Sequence, residues 1–276
     1  GVVDEREDRG ATQLEGDFWG LYLAIEQEDG RFLDEHGLPD GNLYKMESGT
    51  GELNNQGRSA ATDKSDLNTF LSTYRNGSPS LQWWRENLDT EKYFSYQAIV
   101  QGIHHYDICD GKNYFYYLNP ETSLWAVHSW DLDLTWANNM YRDCAGADDL
   151  KNRVLANPTL ALEHKNRLRE LRDLLFNTDQ AWALLEDYAG IVKGTNSVSI
   201  LGADRAMWDF NPIMISGLVN AGKAGQGRFY TFPYESGSDP SLRGSFDAGV
   251  QIMKNYVAER SAFIDSLAEE QSIPTT

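Results

Sequence analysis

The stretch "GIHHYDICDGKNYFYYLNPETSLWAVHSWDLDLTW", residues 102–136, decides how this chain is read. It sets five acidic residues, three histidines and Asn113 among two aromatic, apolar runs. "NYFYYL" and "LWAVHSW" are β-prone, and "NPETS" between them supplies a turn, so the pair reads as a β-hairpin. A hairpin brings its outer ends together. Asn113 opens the first strand and Asp131 closes the second, so their side chains are expected close in space. Asp107 sits in the loop that feeds the first strand. Asp110 competes with it and, preceding Gly111, is the better turn residue. Asp131 and Asp133 alternate along a strand and are expected to share a face. Carboxylates and a carboxamide would then converge on one rim, a set of hard oxygen donors suited to Mg²⁺ or Mn²⁺.

Upstream, "TEKYFSYQAIVQGIHH" (90–105) places Tyr93, Tyr96, Ile99, Val100 and Ile103 at helical spacing, which predicts a core-facing helix ending just before Asp107. "TDKSDLNTFLSTY" predicts another helix, N-capped by Thr62 or Asp63. "SPSLQWWRENL" predicts a third, with Pro79 near its start. Before these lies a β-rich segment. "FWGLYLAIE" (18–26) reads as a strand, "EDGRFLDEHGLPDG" as a turn-rich connection, "NLYKM" (42–46) as a strand carrying Lys45, and "ESGTGELNNQG" as a glycine-rich loop. Downstream, "PTLALEHKNRLRELRDLLF" and "TDQAWALLEDYAGIV" read as helices. "SFDAGVQIMKNYVAERSAFIDSLAEE" reads as a long final helix with Phe246, Val250, Met253, Val257 and Phe263 in register. The order gives an α+β chain: a small β-rich portion over residues 1–60, then a mainly helical portion over 61–276 that carries the hairpin.

With 276 residues the chain can bury a sizeable core, and its formal net charge of −18 opposes binding to nucleic acid or anionic membranes. An anionic ligand would therefore need a local lysine, arginine or divalent metal. No run reaches the roughly 18 apolar residues of a membrane span, and the charged start "GVVDEREDRG" does not resemble a signal peptide.

The segments "GLYLAIEQEDGRFL", "GNLYK", "DICDGKNYFYYLNPETSLWAVHSWDLDLTW" and "YVAERSAFIDSL" resemble, in that order, the spore-coat protein H (CotH) kinase family, over roughly residues 16–267. The resemblance implies a reduced, atypical protein-kinase-like fold with a small β-rich N-lobe and a larger helical C-lobe. It implies ATP and Mg²⁺ or Mn²⁺ as cofactors and Ser or Thr of a protein acceptor as substrate. On the kinase pattern, Asp107 in "HYD" would accept the acceptor's proton. Asn113 and Asp131 would bind metal, with Asp133 a further ligand or a support, and Lys45 would hold phosphates. Glu26 would pair with Lys45 or stay solvated. Arg142 and Arg58 would reach phosphates or remain surface arginines. Against the family pattern the chain begins late in the N-lobe, and no G-x-G-x-x-G loop precedes Lys45.

Two other functions fit parts of this sequence. One is a non-catalytic, pseudokinase-like module of a surface or coat assembly. The other is a metal-dependent glycosyltransferase using the D-x-D, opposed by the missing α/β alternation. His104 and His105 read as helix-end and packing residues, His105 bracing the loop, and His128 as structural. Cys109 and Cys144 lie on segments entering and leaving the same rim, so they either form a disulfide or remain two buried thiols. The disulfide would imply an oxidising, extracytoplasmic home, secreted or at a cell or spore surface. A monomer is expected.

Overall fold

The computed structural model describes residues 19–58, 60–108, 111–133, 135–136, 148–194, 200–208 and 246–268. Along them come α1 (Gly30–Glu35), β1 (Asn42–Glu47), β2 (Thr50–Asn55), α2 (Ser65–Asn76), α3 (Leu81–Asn87) and α4 (Thr90–Gly102). A 3-10 turn (Tyr106–Ile108), β3 (Tyr114–Leu118) and β4 (Trp125–Ser129) follow. The rest is helical: α5 (Lys151–Val154), α6 (Pro158–Leu174), α7 (Thr178–Lys193), α8 (Ile200–Trp208) and α9 (Phe246–Ala268). The fold is thus α+β, with one small antiparallel sheet of order β2-β1-β3-β4 and a mostly helical remainder.

Strand alternation sorts the aromatics onto two faces. Tyr44 lies opposite Tyr116, which lies opposite Val127. These residues, with Met46, Tyr114 and Trp125, pack in one core with Phe70 and Tyr74 of α2, Trp84 of α3 and Tyr93 of α4. Burying a side chain of this kind contributes about 1.5–3 kcal/mol. On the other face Leu43, Phe115, Tyr117 and Ala126 pack with Phe32 and Leu33 of α1. Lys45, opposite Phe115, belongs to that second face.

The described residues divide into two compact units. The larger holds Glu26–Leu184 and α9 from Gln251 onward; the smaller holds the described residues up to Ile25, those from Leu185 to the end of α8, and α9 up to Val250. The boundary at residue 60 runs, in the structure, between strands of a single sheet, since β3 of the hairpin pairs directly with β1.

The hairpin, β1 and the six predicted helices (α2, α3, α4, α6, α7 and α9) stand where the sequence puts them. Several local expectations are corrected. Residues 19–26 form no strand; they lack a pairing edge, and Trp19, Tyr22, Leu23 and Ile25 are exposed. β-Propensity measures fit to a paired, half-buried surface and does not make a strand alone. Within the expected turn-rich connection, Asp29 N-caps α1 by accepting from the amides of Arg31 and Phe32. The glycine-rich loop supplies β2, because Ser48 (φ 50°) and Gly49 (φ 80°) make a two-residue turn with both central φ positive, which returns the chain along the edge of β1. The N-cap of α2 is Lys64, in left-handed conformation, while Asp63 accepts from Ser65 one step early. On α4, Ile99 is 37% exposed: the helix is buried on most sides, Gln97 and Gln101 included, and Ile99 falls on the open one. On α9 the buried stripe is Tyr256, Val257, Arg260 and Ile264, and Phe263 faces out.

Candidate active site

The C-terminus of α4 is held from outside. Arg260 Nε of α9 donates to the Gln101 carbonyl at 2.9 Å, and Tyr256 Oη donates to the Gly102 carbonyl at 2.8 Å. These carbonyls belong to the last turn of the helix, where the Gln101 carbonyl also accepts from the His104 amide at 3.3 Å, and a buried cation complements the negative end of the helix. The chain leaves α4 through Ile103 and His104 (φ 54°) into the turn that carries Asp107.

Asn113 is buried in left-handed conformation (φ 64°). Its Nδ2 donates to the Asp107 carbonyl at 2.8 Å and to Asp107 Oδ2 at 3.0 Å. That orientation leaves Asn113 Oδ1 as the carboxamide's remaining acceptor. The Asn113 main-chain carbonyl accepts from Trp130 N at 3.2 Å, which extends the hairpin ladder by one step and brings Asp131 to the same rim. Asp131 is itself left-handed (φ 55°) and exposed. Its carboxyl is raised above the usual carboxylate range by loss of solvent and by the negative charges of Asp133 and Asp107, with His105 and Lys112 opposing. β4 ends at Ser129, so Asp131 and Asp133 lie in a turn and do not alternate along a strand as expected; the turn keeps their charges near each other.

Lys45 Nζ lies 5.8 Å from the centre of the Trp130 ring, within range of cation–π attraction, and 3.2 Å from Glu47 Oε1. It therefore reaches toward the residue beside Asp131. Glu26 does not pair with it: both Glu26 carboxylate oxygens lie 3.1 Å from His36 Nε2. Arg58 is exposed, 3.7 Å from Asp40. Arg142, Asp110, Cys109 and Cys144 lie outside the described residues, and with them the disulfide.

Two residues were missed, Lys112 and Glu28. Lys112 Nζ forms a 2.7 Å ion pair with Asp107 Oδ1; its signal was its place beside Asn113 in "DGKN". On the sheet face of Lys45, buried Glu28 meets His128 Nδ1 at 3.0 Å. His128 stands opposite Phe115, the neighbour of Lys45, so strand alternation could have placed it there. His105, expected as a packing residue that braces the loop, is fully buried beside main-chain groups of Trp130 and Asn113. Burial lowers its pKa and favours a neutral ring.

The donor set, carboxylates and one carboxamide oxygen, fits a hard divalent cation in kind. Uncompensated negative charge at Asp131 points the same way. Among the described residues, however, no group of three or more His, Cys, Asp or Glu side chains is closed round a common point. Lys112 already takes one oxygen of Asp107.

Comparison with known proteins adds an independent line. The sequence pattern of the family described as CotH kinase protein matches residues 11–264. The chain is also similar to the inner spore coat protein H of Bacillus subtilis (strain 168), 22% identical over 206 residues. That match takes in 65% of this chain and 57% of the length of the Bacillus protein. The ordered motifs around the hairpin and the family match over most of the chain agree: the chain belongs to the CotH kinase protein family.

Proposed function

We propose that the chain is a phosphotransferase that moves the terminal phosphoryl group of ATP to Ser or Thr hydroxyls of a protein acceptor, with Mg²⁺ or Mn²⁺ as cofactor. The observation that carries this reading is the single rim on which the Asp107–Asn113 loop, the Asp131–Asp133 turn and the Lys45–Trp130 contact meet. Asp107 accepts the proton of the acceptor hydroxyl as the hydroxyl oxygen attacks the terminal phosphorus and the bond to ADP breaks. Asn113 Oδ1 and Asp131, supported by Asp133, would hold the metal, which would supply charge neutralisation at the phosphates. Lys45 leaves Glu47 and binds phosphate oxygens. Asn113 keeps Asp107 oriented through its paired donations to the carbonyl and carboxylate. In this reading α1, β1 and β2 belong to a kinase N-lobe, and α2 onward, the hairpin included, belong to the C-lobe.

Inner spore coat protein H suggests by its name a coat or surface location, and we extend that to this chain. No helix among the described residues is long and apolar enough to cross a membrane. A monomer acting on a protein partner, without nucleic acid, is the simplest form consistent with the charge of −18.

A pseudokinase-like binding module is the second reading. It is favoured by the Lys45–Glu47 pairing and by the open arrangement of the carboxylates. A D-x-D glycosyltransferase is disfavoured by a sheet whose four strands are all antiparallel. The deciding experiment is incubation with labelled ATP, Mg²⁺ or Mn²⁺ and a Ser-rich acceptor, beside a panel of sugar nucleotides. Label on the acceptor that is lost with chelator supports the phosphotransferase. Binding without transfer supports the pseudokinase, and transfer from a sugar nucleotide overturns both.

A further inference from the structure

We infer that Arg75 and Asp149 are positioning residues that latch the β1–β2 turn onto the loop bearing Asp107 and Asn113. The inference rests on the phosphotransferase reading for its catalytic consequence, and on contacts alone for the latch itself. Arg75 closes the last turn of α2. Its Nη1 donates to the Gly49 carbonyl at 2.7 Å, and its Nη2 pairs with Asp149. The Gly49 amide donates in turn to the Gly111 carbonyl at 2.9 Å. Gly49 is thus gripped on both main-chain groups, by Arg75 on one side and by the candidate active-site loop on the other.

Gly111 leaves no slack at this junction. It sits at φ 69°, a conformation costly for any residue with a Cβ. An added Cβ would lie 2.7 Å from Gly49 Cα and 3.2 Å from Asp149 Oδ2. The loop between Asp107 and Asn113 therefore touches the β1–β2 turn backbone to backbone, with Asp149 against the same point. Arg153 donates to the Arg75 carbonyl at 2.8 Å and fixes the end of α2 that carries the guanidinium. The two charged side chains are 31% and 28% exposed, so the pair is partly shielded from solvent.

The two ends of the rim are secured differently. Lys45 is fixed by the β1–β3 ladder, which does not involve Arg75. Asp107 and Asn113 lie on either side of Gly111, whose carbonyl is held by the Gly49 amide. Releasing the latch should displace the loop and leave Lys45 in place. A displacement near 1 Å of reacting groups costs on the order of a hundredfold in rate.

The test compares wild type, Arg75→Ala, Arg75→Lys and Asp149→Asn in the full chain. ATP-dependent transfer and amide hydrogen exchange are both measured. In Arg75→Ala, kcat should fall about ten- to a hundredfold while KM for ATP stays within about threefold. Exchange should rise at Gly49 and not in β3. Arg75→Lys can make one of the two contacts and should fall between. Asp149→Asn keeps an acceptor without the charge and should also be intermediate. Unchanged kcat together with unchanged exchange at Gly49 overturns the inference. So does exchange rising equally through β3 and α4, which would mark general loosening. A wild type inert toward ATP would sink the phosphotransferase reading alone, because the exchange pattern decides the latch without it.

Discussion

Asp148 offers a measurable consequence of burying a carboxyl beneath the sheet. Its Oδ1 accepts from Tyr93 Oη at 2.8 Å, from Leu150 N at 2.9 Å and from Lys151 N at 2.8 Å. Its Oδ2, like the nearby Tyr96 and Tyr114 hydroxyls, is buried without a partner among the described residues. Burial pushes the carboxyl from 3.8 up to about 6, and the three donors to Oδ1 only partly offset it. A folded pKa above the unfolded one means that folding favours the protonated form. The stability this contributes is fully present below about pH 4 and is lost as pH rises through about 6. At about 1.4 kcal/mol per tenfold change, the ionised form at neutral pH costs the fold about 3 kcal/mol relative to the protonated one. Asp148→Asn keeps a neutral acceptor at Oδ1 and removes that penalty. The difference in unfolding free energy between variant and wild type, from urea melts, should therefore favour the variant at pH 7.5 by up to about 3 kcal/mol and shrink toward pH 4. Comparing the two proteins cancels the general repulsion of an acidic chain. A variant less stable than wild type by more than about 1 kcal/mol at pH 7.5, with no trend in the difference, would refute the reasoning.

The remaining predictions concern the rim and its support. Asp107→Asn should lower turnover by orders of magnitude in the labelled-ATP assay with ATP affinity nearly unchanged; full activity there, with Asp110→Asn inactive, would move the base to Asp110. Asp131→Ala should abolish the metal-dependent thermal shift given by ATP while leaving the melting temperature without ligand within a few degrees, and equal shifts in both proteins would place the metal elsewhere. Arg260→Leu should cost about 1–3 kcal/mol in urea melts, because it strips a charged donor from the buried Gln101 carbonyl; a loss below about 0.5 kcal/mol would mean the end of α4 needs no clamp from α9.

Strong local patterns carried the fold. The β3–β4 hairpin was legible because two aromatic strands flank a short polar turn, and it brought Asn113 to Asp131 as its geometry demands. What escaped was decided by partners. β2 has the sequence of a loop and becomes a strand because β1 offers an edge and Ser48-Gly49 turns the chain back onto it. Residues 19–26 have the sequence of a strand and find no edge. The same distinction governs the site. Asp107, Asn113 and Asp131 stood out because their spacing in a hairpin predicts proximity. Lys112 was passed over although it stands beside Asn113, and Arg75 and Asp149 did not stand out because an ion pair between distant residues leaves no period in the sequence. Arg75 and Asp149 meet across 74 positions, which no local pattern could have joined.

Backbone strain collects where the chemistry is proposed. Among the described residues seven that are not glycine have positive φ, and four of these, His104, Asn113, Asp131 and Trp136, border the rim. Asn, Asp and His are the non-glycine residues most often found in this conformation, but a tryptophan adopts it at a cost of roughly 1–3 kcal/mol. Surrounding contacts must offset that cost. Trp136 donates from its amide to the Ile103 carbonyl at 2.7 Å and packs against Phe176 and Tyr256. Tyr256 in turn donates to Gly102, one residue before Ile103. The entry to the Asp107 turn and the exit from the Asp131 turn are thus tied to each other and to α9. A hairpin needed only for stability could relax these residues into ordinary conformations. Holding them strained makes sense if the separation of Asp107, Asn113 and Asp131 is what the surrounding structure maintains.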